Sequence, residues 1–223
     1  ASIADQRSPY LALNLPELTS MTIHIKALLF DFGNVLVKWD VHRIYDAHFP
    51  APADVDAFLE EVHFYEWNSH MDRGLSFAEG VAQASAEFPQ YARLFRLFDD
   101  QWLETVREPI EGSIAIARRL KEAGHPLYLL SNISKEKFPQ ARREHNFLSM
   151  FEDCILSSEL GVIKPEPAIF EQTLQRIHQR TEDVIFIDDA QANVEAASRL
   201  GITSICFETP EQLERKLKKF NVL

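Results

Sequence analysis

Polar residues suited to chemistry on an anionic substrate follow apolar runs at several places in the sequence. They are Asp31, with Gly33 and Asn34 shortly after it, Ser131-Asn132, Lys164, and the pair Asp188-Asp189. An aspartate carboxylate can act as a covalent nucleophile or as a ligand of a hard metal ion. Asp31 alone would equally suit a turn or a helix cap, so the prediction depends on the whole set.

The pair Asp188-Asp189 is the strongest single signal in this set. Two successive carboxylates at the end of an apolar strand repel each other unless a proton or a cation compensates. A cap on the following helix would use one of the two acids and leave the other unexplained. Together with Asp31, the pair predicts a site for Mg²⁺, which prefers carboxylate, carbonyl and water ligands.

The remaining members of the set suit an oxyanion. Gly33 and Asn34 permit a tight turn with positive φ, which brings backbone N–H groups close to an anion. Ser131 offers a hydroxyl donor, and Lys164, held extended by the proline after it, offers a positive charge. In isolation such a serine more often caps a turn, and such a lysine is more often solvated.

Short apolar strands alternate with helices through most of the chain. The strands are predicted over 24–31, 126–131, 152–157, 184–188 and 203–207. The helices are predicted over 111–123, 134–145, 167–179, 190–200 and 209–220. This alternation predicts an α/β fold with a Rossmann-like core, in which a parallel sheet carries helices on both faces. Because ligands bind beyond the carboxyl ends of parallel strands, the polar set should converge on one crevice.

Residues 41–107 differ from the rest of the chain. They show helical spacing over 53–66, 76–87 and 91–107, and they contain no buried strand. They are expected to form a small helical cap domain inserted after the first strand, between the core segments 21–40 and 108–223. Its aromatic residues should form the core of a helical bundle, with a place at the substrate entrance as the alternative; they are Phe64, Tyr65, Trp67 and Phe77. Residues 1–20 are interpreted as an N-terminal extension.

The formal net charge of −11, from 23 basic and 34 acidic side chains, argues against nucleic acids and anionic membranes as partners. The common dinucleotide and P-loop fingerprints are absent. No apolar run approaches the ~18 residues of a membrane span, and no signal-peptide pattern occurs, so a cytoplasmic location is expected. Cys154 and Cys206 lie in apolar stretches and are expected to be buried free thiols.

Read with its neighbours, the polar set resembles the four-part signature of the haloacid dehalogenase superfamily. The parts are Asp31-Phe-Gly-Asn-Val35, Leu-Leu-Ser131-Asn132, Gly-Val-Ile-Lys164-Pro-Glu-Pro167 and Ile-Phe-Ile-Asp188-Asp189-Ala-Gln-Ala-Asn193. The similarity covers about residues 23–208, and the helical insert falls where this superfamily carries a C1-type cap. Among its branches, the sequence looks most like the bacterial α-D-glucose-1-phosphate phosphatase group.

The resemblance implies a Mg²⁺-dependent phosphatase that hydrolyses a small phosphorylated metabolite, with a sugar phosphate favoured, through an aspartyl-phosphate intermediate. It implies that Asp31 is the nucleophile and that Lys164 steadies the charge. The residues it assigns to the phosphoryl group are Asn34, Ser131 and the Asn132 backbone. Those it assigns to Mg²⁺ are Asp31, the Gly33 carbonyl, Asp189 and Asp188, the last close by or ligating through water, with Asn193 orienting the ligands.

Gly33 departs from the superfamily pattern, because most of its phosphatases place a second aspartate there as general acid and base. Such help is worth ~10²–10⁴-fold in rate, and its source here is unassigned. The candidates in the cap are His70, Asp72 and Arg73.

Two other functions stay open at this point. A metal-independent 2-haloacid dehalogenase also uses an aspartate nucleophile and needs no acid, but such enzymes do not keep an acidic pair like Asp188-Asp189. A non-catalytic protein that binds a phosphorylated ligand or a protein partner would not need to keep the whole set.

Overall fold

The structure is a computed structural model that describes residues 25–223, so the predicted N-terminal extension, 1–20, lies outside the described residues. Its centre is a parallel sheet of five strands: β1 (Ala27–Phe30), β2 (Leu127–Ser131), β3 (Asp153–Leu156), β4 (Val184–Asp188) and β5 (Thr203–Cys206). The strand order is β3-β2-β1-β4-β5, with every neighbouring pair parallel. The predicted α/β class and all of the predicted strands are confirmed, with ends that differ by up to three residues.

Strand β1 is buried on both faces because its side chains alternate between two apolar clusters. Leu28 and Phe30 belong to the cluster that continues into the helical insert, whereas Ala27 and Leu29 belong to the cluster on the opposite face. All four residues of the strand are fully buried. A continuous apolar run is what a central parallel strand requires, since helices cover both of its faces.

The described residues also form helices on both sides of the sheet. In chain order they are α1 (His42–Tyr45), α2 (Pro52–Glu61), α3 (Phe64–Asp72), α4 (Phe77–Glu87), α5 (Ala92–Gln101), α6 (Glu111–Glu122), α7 (Phe138–Glu144), α8 (Ser157–Leu160), α9 (Pro167–Arg176), α10 (Gln191–Arg199) and α11 (Pro210–Lys219). Helices α1–α5 lie between β1 and β2 in the chain, where the helical insert is predicted. The domain boundaries at 41 and 107 stay a prediction.

The helix predicted over 53–66 is wrong, because the chain forms two helices there. Helix α2 ends at Glu61, and α3 begins at Phe64. His63 between them has a positive φ of 48°, which a right-handed helix does not allow. The predicted helix over 134–145 begins only at Phe138, and the one over 91–107 becomes a 3₁₀ turn after Gln101.

Aromatic side chains of the insert pack in the same apolar cluster as Leu28 and Phe30 of β1. Phe64, Trp67 and Phe77 are buried, and Trp67 Nε1 donates a hydrogen bond of 2.9 Å to the Gly80 carbonyl. Tyr65 is instead 59% exposed, so the predicted aromatic core holds for three of the four residues. The side chain of Tyr65 packs edge-to-face on Trp39, with 5.8 Å between ring centroids.

Two further predictions concern the exposure of the cysteines and the presence of membrane-spanning helices. Cys154 and Cys206 are free thiols, as expected, but both are partly exposed rather than buried, because both lie on the edge strands of the sheet. Across residues 25–223, no helix has both the length and the apolar character that a membrane crossing needs.

Candidate active site

The predicted site residues converge at the carboxyl ends of three adjacent strands. Asp31 follows β1, Ser131 ends β2 and Asp188 ends β4, and β1 lies between the other two. A cavity of about 200 Å³ opens above them. The predicted residues that line it are Asp31, Gly33, Asn34, Ser131, Asn132, Lys164, Asp189 and Asn193. Asp188 does not line the cavity and is fully buried beneath it.

Lys164 is the positive charge at the floor of this cavity. Its Nζ lies 2.7 Å from Asp31 Oδ1 and 2.7 Å from Asp188 Oδ2, and it donates to the Leu130 carbonyl at 3.0 Å. Burial alone would lower its pKa, but Asp188 and Asp31 raise the pKa above the usual value. The side chain is therefore a fixed cation between two carboxylates.

Asp188 has hydrogen bonds on both of its oxygens. Oδ1 accepts from the Ala190 backbone N–H at 2.9 Å and from Asn193 Nδ2 at 2.9 Å, while Oδ2 contacts Lys164. These three hydrogen bonds fill three of the roughly four lone-pair positions of the carboxylate and leave one on Oδ2. The arrangement favours Asp188 as the residue that holds Lys164 and Asn193 in place.

The surroundings of Asp31 and Asp189 disfavour the charged forms of both carboxylates. Burial raises the pKa of Asp31, Lys164 opposes that change, and the charges of Asp188 and Asp189 raise the pKa further. Burial and Asp188 also raise the pKa of Asp189, against a 3.1 Å hydrogen bond from Asn34 Nδ2. One carboxylate oxygen from each of the three acids lies within 4.8 Å of the other two. Hard oxygen ligands at this spacing fit Mg²⁺, whose charge would stabilise the charged forms.

The turn after Asp31 matches its prediction in part. Asn34 has the expected positive φ, 55°, and its Oδ1 accepts a 3.1 Å hydrogen bond from the Trp39 N–H. Gly33 was expected to share that conformation but has an ordinary φ. A Cβ at Gly33 would lie 3.6 Å from Trp39 Cβ, an ordinary contact, so the backbone does not require glycine there.

Asn132 holds the segment that carries Lys164. Its Nδ2 donates to the Lys164 carbonyl at 3.0 Å, and its Oδ1 accepts from the Lys164 N–H at 2.8 Å. This reciprocal pair uses the side-chain amide of Asn132 within the protein. One N–H of Nδ2 and the backbone N–H of Asn132 are left for other contacts.

The insert supplies the opposite wall of the cavity. Asn68 and Asp72 of α3 line it, together with Trp39, Trp102 and Val106. Among the three predicted acid candidates only Asp72 reaches the cavity, because His70 is exposed and Arg73 pairs with Glu166. Burial raises the pKa of Asp72 to about 7, against the lowering effect of Lys164. Sequence reasoning missed Asn68 and Trp102, since no strand-end rule places residues of the insert, and it also missed Trp39 of the core segment.

Relatives of known activity include phosphatases. The D-ribitol-5-phosphate phosphatase of Bacteroides thetaiotaomicron is 26% identical over 79% of this chain and 89% of its own length. A sesquiterpene phosphatase of Aspergillus oryzae is 24% identical over 83% of this chain and 91% of its own. A drimenol cyclase of Aspergillus calidoustus is 26% identical over 86% of this chain, which spans only 36% of that protein.

Other similarities extend beyond phosphatases. An (S)-2-haloacid dehalogenase of Pseudomonas putida is 25% identical over 80% of this chain and 82% of its own. Among solved structures, a B. thetaiotaomicron enzyme in complex with magnesium and inorganic phosphate superposes with a TM-score of 0.66. The match covers 83% of this chain and 95% of that one at 22% identity, and it supports the fold.

The sequence model of the haloacid dehalogenase-like hydrolases matches residues 25–201, which hold every strand-end residue of the site. The parallel sheet and its strand-end acids agree with that match. The chain therefore belongs to the haloacid dehalogenase-like hydrolase family.

Proposed function

We propose that this hydrolase is a Mg²⁺-dependent phosphatase that forms an aspartyl-phosphate on Asp31. The observation that carries the proposal is the cluster at the cavity floor. Three carboxylates approach within 4.8 Å around one buried lysine, and two of them, on Asp31 and Asp189, line the cavity. Such a floor repels a phosphate unless a divalent cation is bound, and with the cation it attracts one.

The residues that would hold Mg²⁺ are Asp31, the Gly33 carbonyl and Asp189. Asp188 would act close by or through water, because it is fully buried beneath the cavity. Bound Mg²⁺ would supply positive charge against the phosphoryl oxygens. Asn193 would keep Asp188 oriented.

The protein's own groups would act in two steps. Asp31 would attack phosphorus and release the alcohol, and water would then hydrolyse the acyl phosphate. Ser131, the Asn132 backbone and the Asn34 turn would bind the phosphoryl oxygens, and Lys164 would balance the charge of Asp31 at 2.7 Å. Phosphoryl transfer depends mainly on such positioning and charge balance.

The substrate class favoured here is a sugar or polyol phosphate. A cavity of about 200 Å³ admits a small metabolite, and Asn68 and Asp72 offer polar contacts to hydroxyl groups. The activity of the D-ribitol-5-phosphate phosphatase among the relatives supports the same class. The competing substrate class is the phosphate ester of an apolar alcohol. It is supported by the sesquiterpene phosphatase among the relatives and by the two tryptophans that line the cavity.

Haloacid dehalogenation is the alternative that one observation favours. Gly33 provides no acid side chain, and a halide leaving group needs no proton. The clustered acids Asp188 and Asp189 weigh against this alternative. Their carboxylates repel each other, and a reaction without a metal ion supplies no cation to offset that repulsion.

The test is release of free phosphate from a panel of sugar, polyol and isoprenoid monophosphates, with Mg²⁺ and with EDTA. We expect turnover of at least one sugar or polyol phosphate that needs Mg²⁺. Asp31→Asn should lower it on the order of 10⁴-fold, as loss of a covalent nucleophile does. Asp100→Asn, which changes an exposed carboxylate outside the cavity, is the matched control.

The same panel can contradict the proposal. Phosphate release that is equal in the wild type and Asp31→Asn would exclude Asp31 as the nucleophile. Halide release from 2-chloropropionate in EDTA, without phosphatase activity, would instead establish the dehalogenase.

A further inference from the structure

The proposed reaction has an unassigned proton. When an alkyl phosphate is cleaved, the departing alkoxide needs a proton, and Gly33 provides no side chain for it. The attacking and leaving oxygens are in line across phosphorus, so the leaving oxygen faces away from Asp31. That direction is the wall formed by the helical insert. A proton donor on that wall, where Asn68 and Asp72 line the cavity, is in position to protonate the leaving oxygen.

The Asp72 carboxyl is the acidic group on that wall. Among the lining residues that the structure describes, the carboxylates are Asp31, Asp72 and Asp189, and only Asp72 belongs to the insert. Its Oδ2 accepts a 3.0 Å hydrogen bond from Asn68 Nδ2. Within residues 25–223, its Oδ1 accepts no hydrogen bond and so has a free position for a proton.

We propose that Asp72 is the general acid and base of this phosphatase. The inference rests on the proposed function and assigns a residue to its missing step. In the first step Asp31 bonds to phosphorus, the ester P–O bond breaks, and the Asp72 proton moves to the departing oxygen. In the second, water bonds to phosphorus, its proton returns to the Asp72 carboxylate, and the bond to Asp31 breaks. Asp31 and Asp72 thus end as they began, with alcohol and phosphate released.

The core fixes the position of Asp72. Ser157 Oγ donates a 2.6 Å hydrogen bond to the Asp72 carbonyl and accepts one of 3.0 Å from the Ile133 N–H. Ile133 is the second residue after Ser131. The two residues that follow Asp72 in the chain, Arg73 and Gly74, are also docked on the core. Arg73 pairs with Glu166, and a Cβ at Gly74 would lie 2.9 Å from the Ser158 carbonyl.

The surroundings of Asp72 keep its proton available near neutral pH. The charged groups that face it across the cavity are Lys164, Asp31 and Asp189, while its partner on α3, Asn68, is uncharged. Burial raises the Asp72 pKa to about 7, and Lys164 opposes that change. General acids work best with a pKa near the working pH. The protonated form also avoids repulsion of the incoming phosphate.

The test compares leaving groups. Wild type, Asp72→Asn and Glu66→Gln, an exposed carboxylate of the same helix, are assayed with Mg²⁺ on p-nitrophenyl phosphate and on the best alkyl phosphate of the panel. For Asp72→Asn we expect kcat/KM on the alkyl ester to fall by ~10²–10⁴-fold, and on the aryl ester by less than ~10-fold, since nitrophenolate leaves without a proton. Glu66→Gln should match the wild type. A burst of p-nitrophenol should precede slow turnover in Asp72→Asn, because the second step has lost its base.

Two results would overturn the assignment without touching the proposed function. One is an equal fold-loss of kcat/KM on both esters, which indicates a binding or structural role. The other is no loss on either ester. A wild type that cleaves neither ester would instead overturn the proposed function itself.

The pH dependence of the wild-type enzyme tests the role of Asp72 without any substitution. The kcat/KM for the alkyl ester should fall above pH ~7, where Asp72 loses its proton, relative to the kcat/KM for the aryl ester. Effects of pH on metal binding act on both esters and cancel in the ratio. A ratio that stays constant from pH 6 to pH 9 would contradict the role of Asp72.

Discussion

The floor and the far wall of the cavity are built differently. On the floor, Lys164 contacts two carboxylates and a carbonyl, and Asp188 accepts from three donors. On the wall, the Asp72 carboxyl has one hydrogen-bond partner, Asn68, among the described residues. The floor residues are held by many bonds, whereas the wall presents a carboxyl group whose position depends mainly on the docking of its backbone.

This difference separates two kinds of contribution. A floor residue supports the fold and the reaction together, because its partners are buried charges. A wall residue can serve the reaction at a cost to stability, since its burial is not compensated by an ion pair. Substitutions on the floor should therefore lower both stability and activity, and substitution of Asp72 should lower activity alone.

The largest effect is expected at Lys164. Lys164→Met leaves Asp31 and Asp188 buried without their cation, which should lower the free energy of unfolding by about 3–5 kcal/mol. Phosphatase activity should fall below detection as well. Urea denaturation in EDTA, together with phosphate release, measures both effects.

The matched control for Lys164 is Lys121→Met, which breaks an exposed pair with Glu152. It should lower the unfolding free energy by less than about 1 kcal/mol. If Lys164→Met lost activity with no more destabilisation than this control, the distinction between floor and wall would be wrong.

The next prediction compares positions 33 and 72 as places for a proton-donating side chain. Gly33→Asp places a carboxyl on the floor, where a Cβ meets only an ordinary contact with Trp39. In the Asp72→Asn background it should restore alkyl-phosphate turnover at least ~10-fold, because the recovered proton donor is part of a ~10²–10⁴-fold contribution. The values of kcat/KM, which report the first step, are compared between the alkyl and aryl esters. Equal gains on both esters would mean that the new carboxyl acts otherwise than as an acid.

A smaller effect appears in the pH dependence of stability. Folding raises the Asp72 pKa from 3.8 to about 7, so the folded state binds more protons between these values. Stability contributed by this group is therefore lost as pH rises from about 4 to about 7, and stays constant above. Asp72→Asn does not show this loss. Between pH 5 and pH 8, its free energy of unfolding should therefore increase relative to that of the wild type by on the order of 1–2 kcal/mol. Denaturation in EDTA at the two pH values tests it, and a pH-independent difference would contradict the raised pKa.

The smallest effect is expected at Tyr65. Its ring packs edge-to-face on Trp39, which lines the cavity, and on Phe64, so Tyr65→Ala removes aromatic packing worth about 0.5–1.5 kcal/mol per pair. We expect the free energy of unfolding in urea to fall by about 1 kcal/mol or less, because the side chain is largely exposed, with kcat unchanged. A fall in kcat instead would show that this contact positions reacting groups.

Most of the floor could be predicted from the sequence, and most of the wall could not. Asp31, Ser131 and Asp188 follow apolar runs, and parallel strands bring such positions to one edge of the sheet. No comparable rule places Asn68 or Trp102, because their positions depend on how the helices of the insert pack. The break at His63 illustrates the same limit, since a single left-handed residue redirects α3 against an otherwise helical pattern.

The hydroxyl of Ser157 has a consequence for the order of events in a turnover. The same oxygen bonds the Ile133 N–H beside Ser131 and the carbonyl of Asp72. A movement that separates the insert from the core breaks this link and withdraws the acid along with the wall. The alcohol must therefore leave, and water must enter, while this hydrogen bond is intact. Otherwise the hydrogen bond must form again before the acyl phosphate is hydrolysed. One side-chain hydroxyl thereby couples the exchange of product for water to the readiness of the second step.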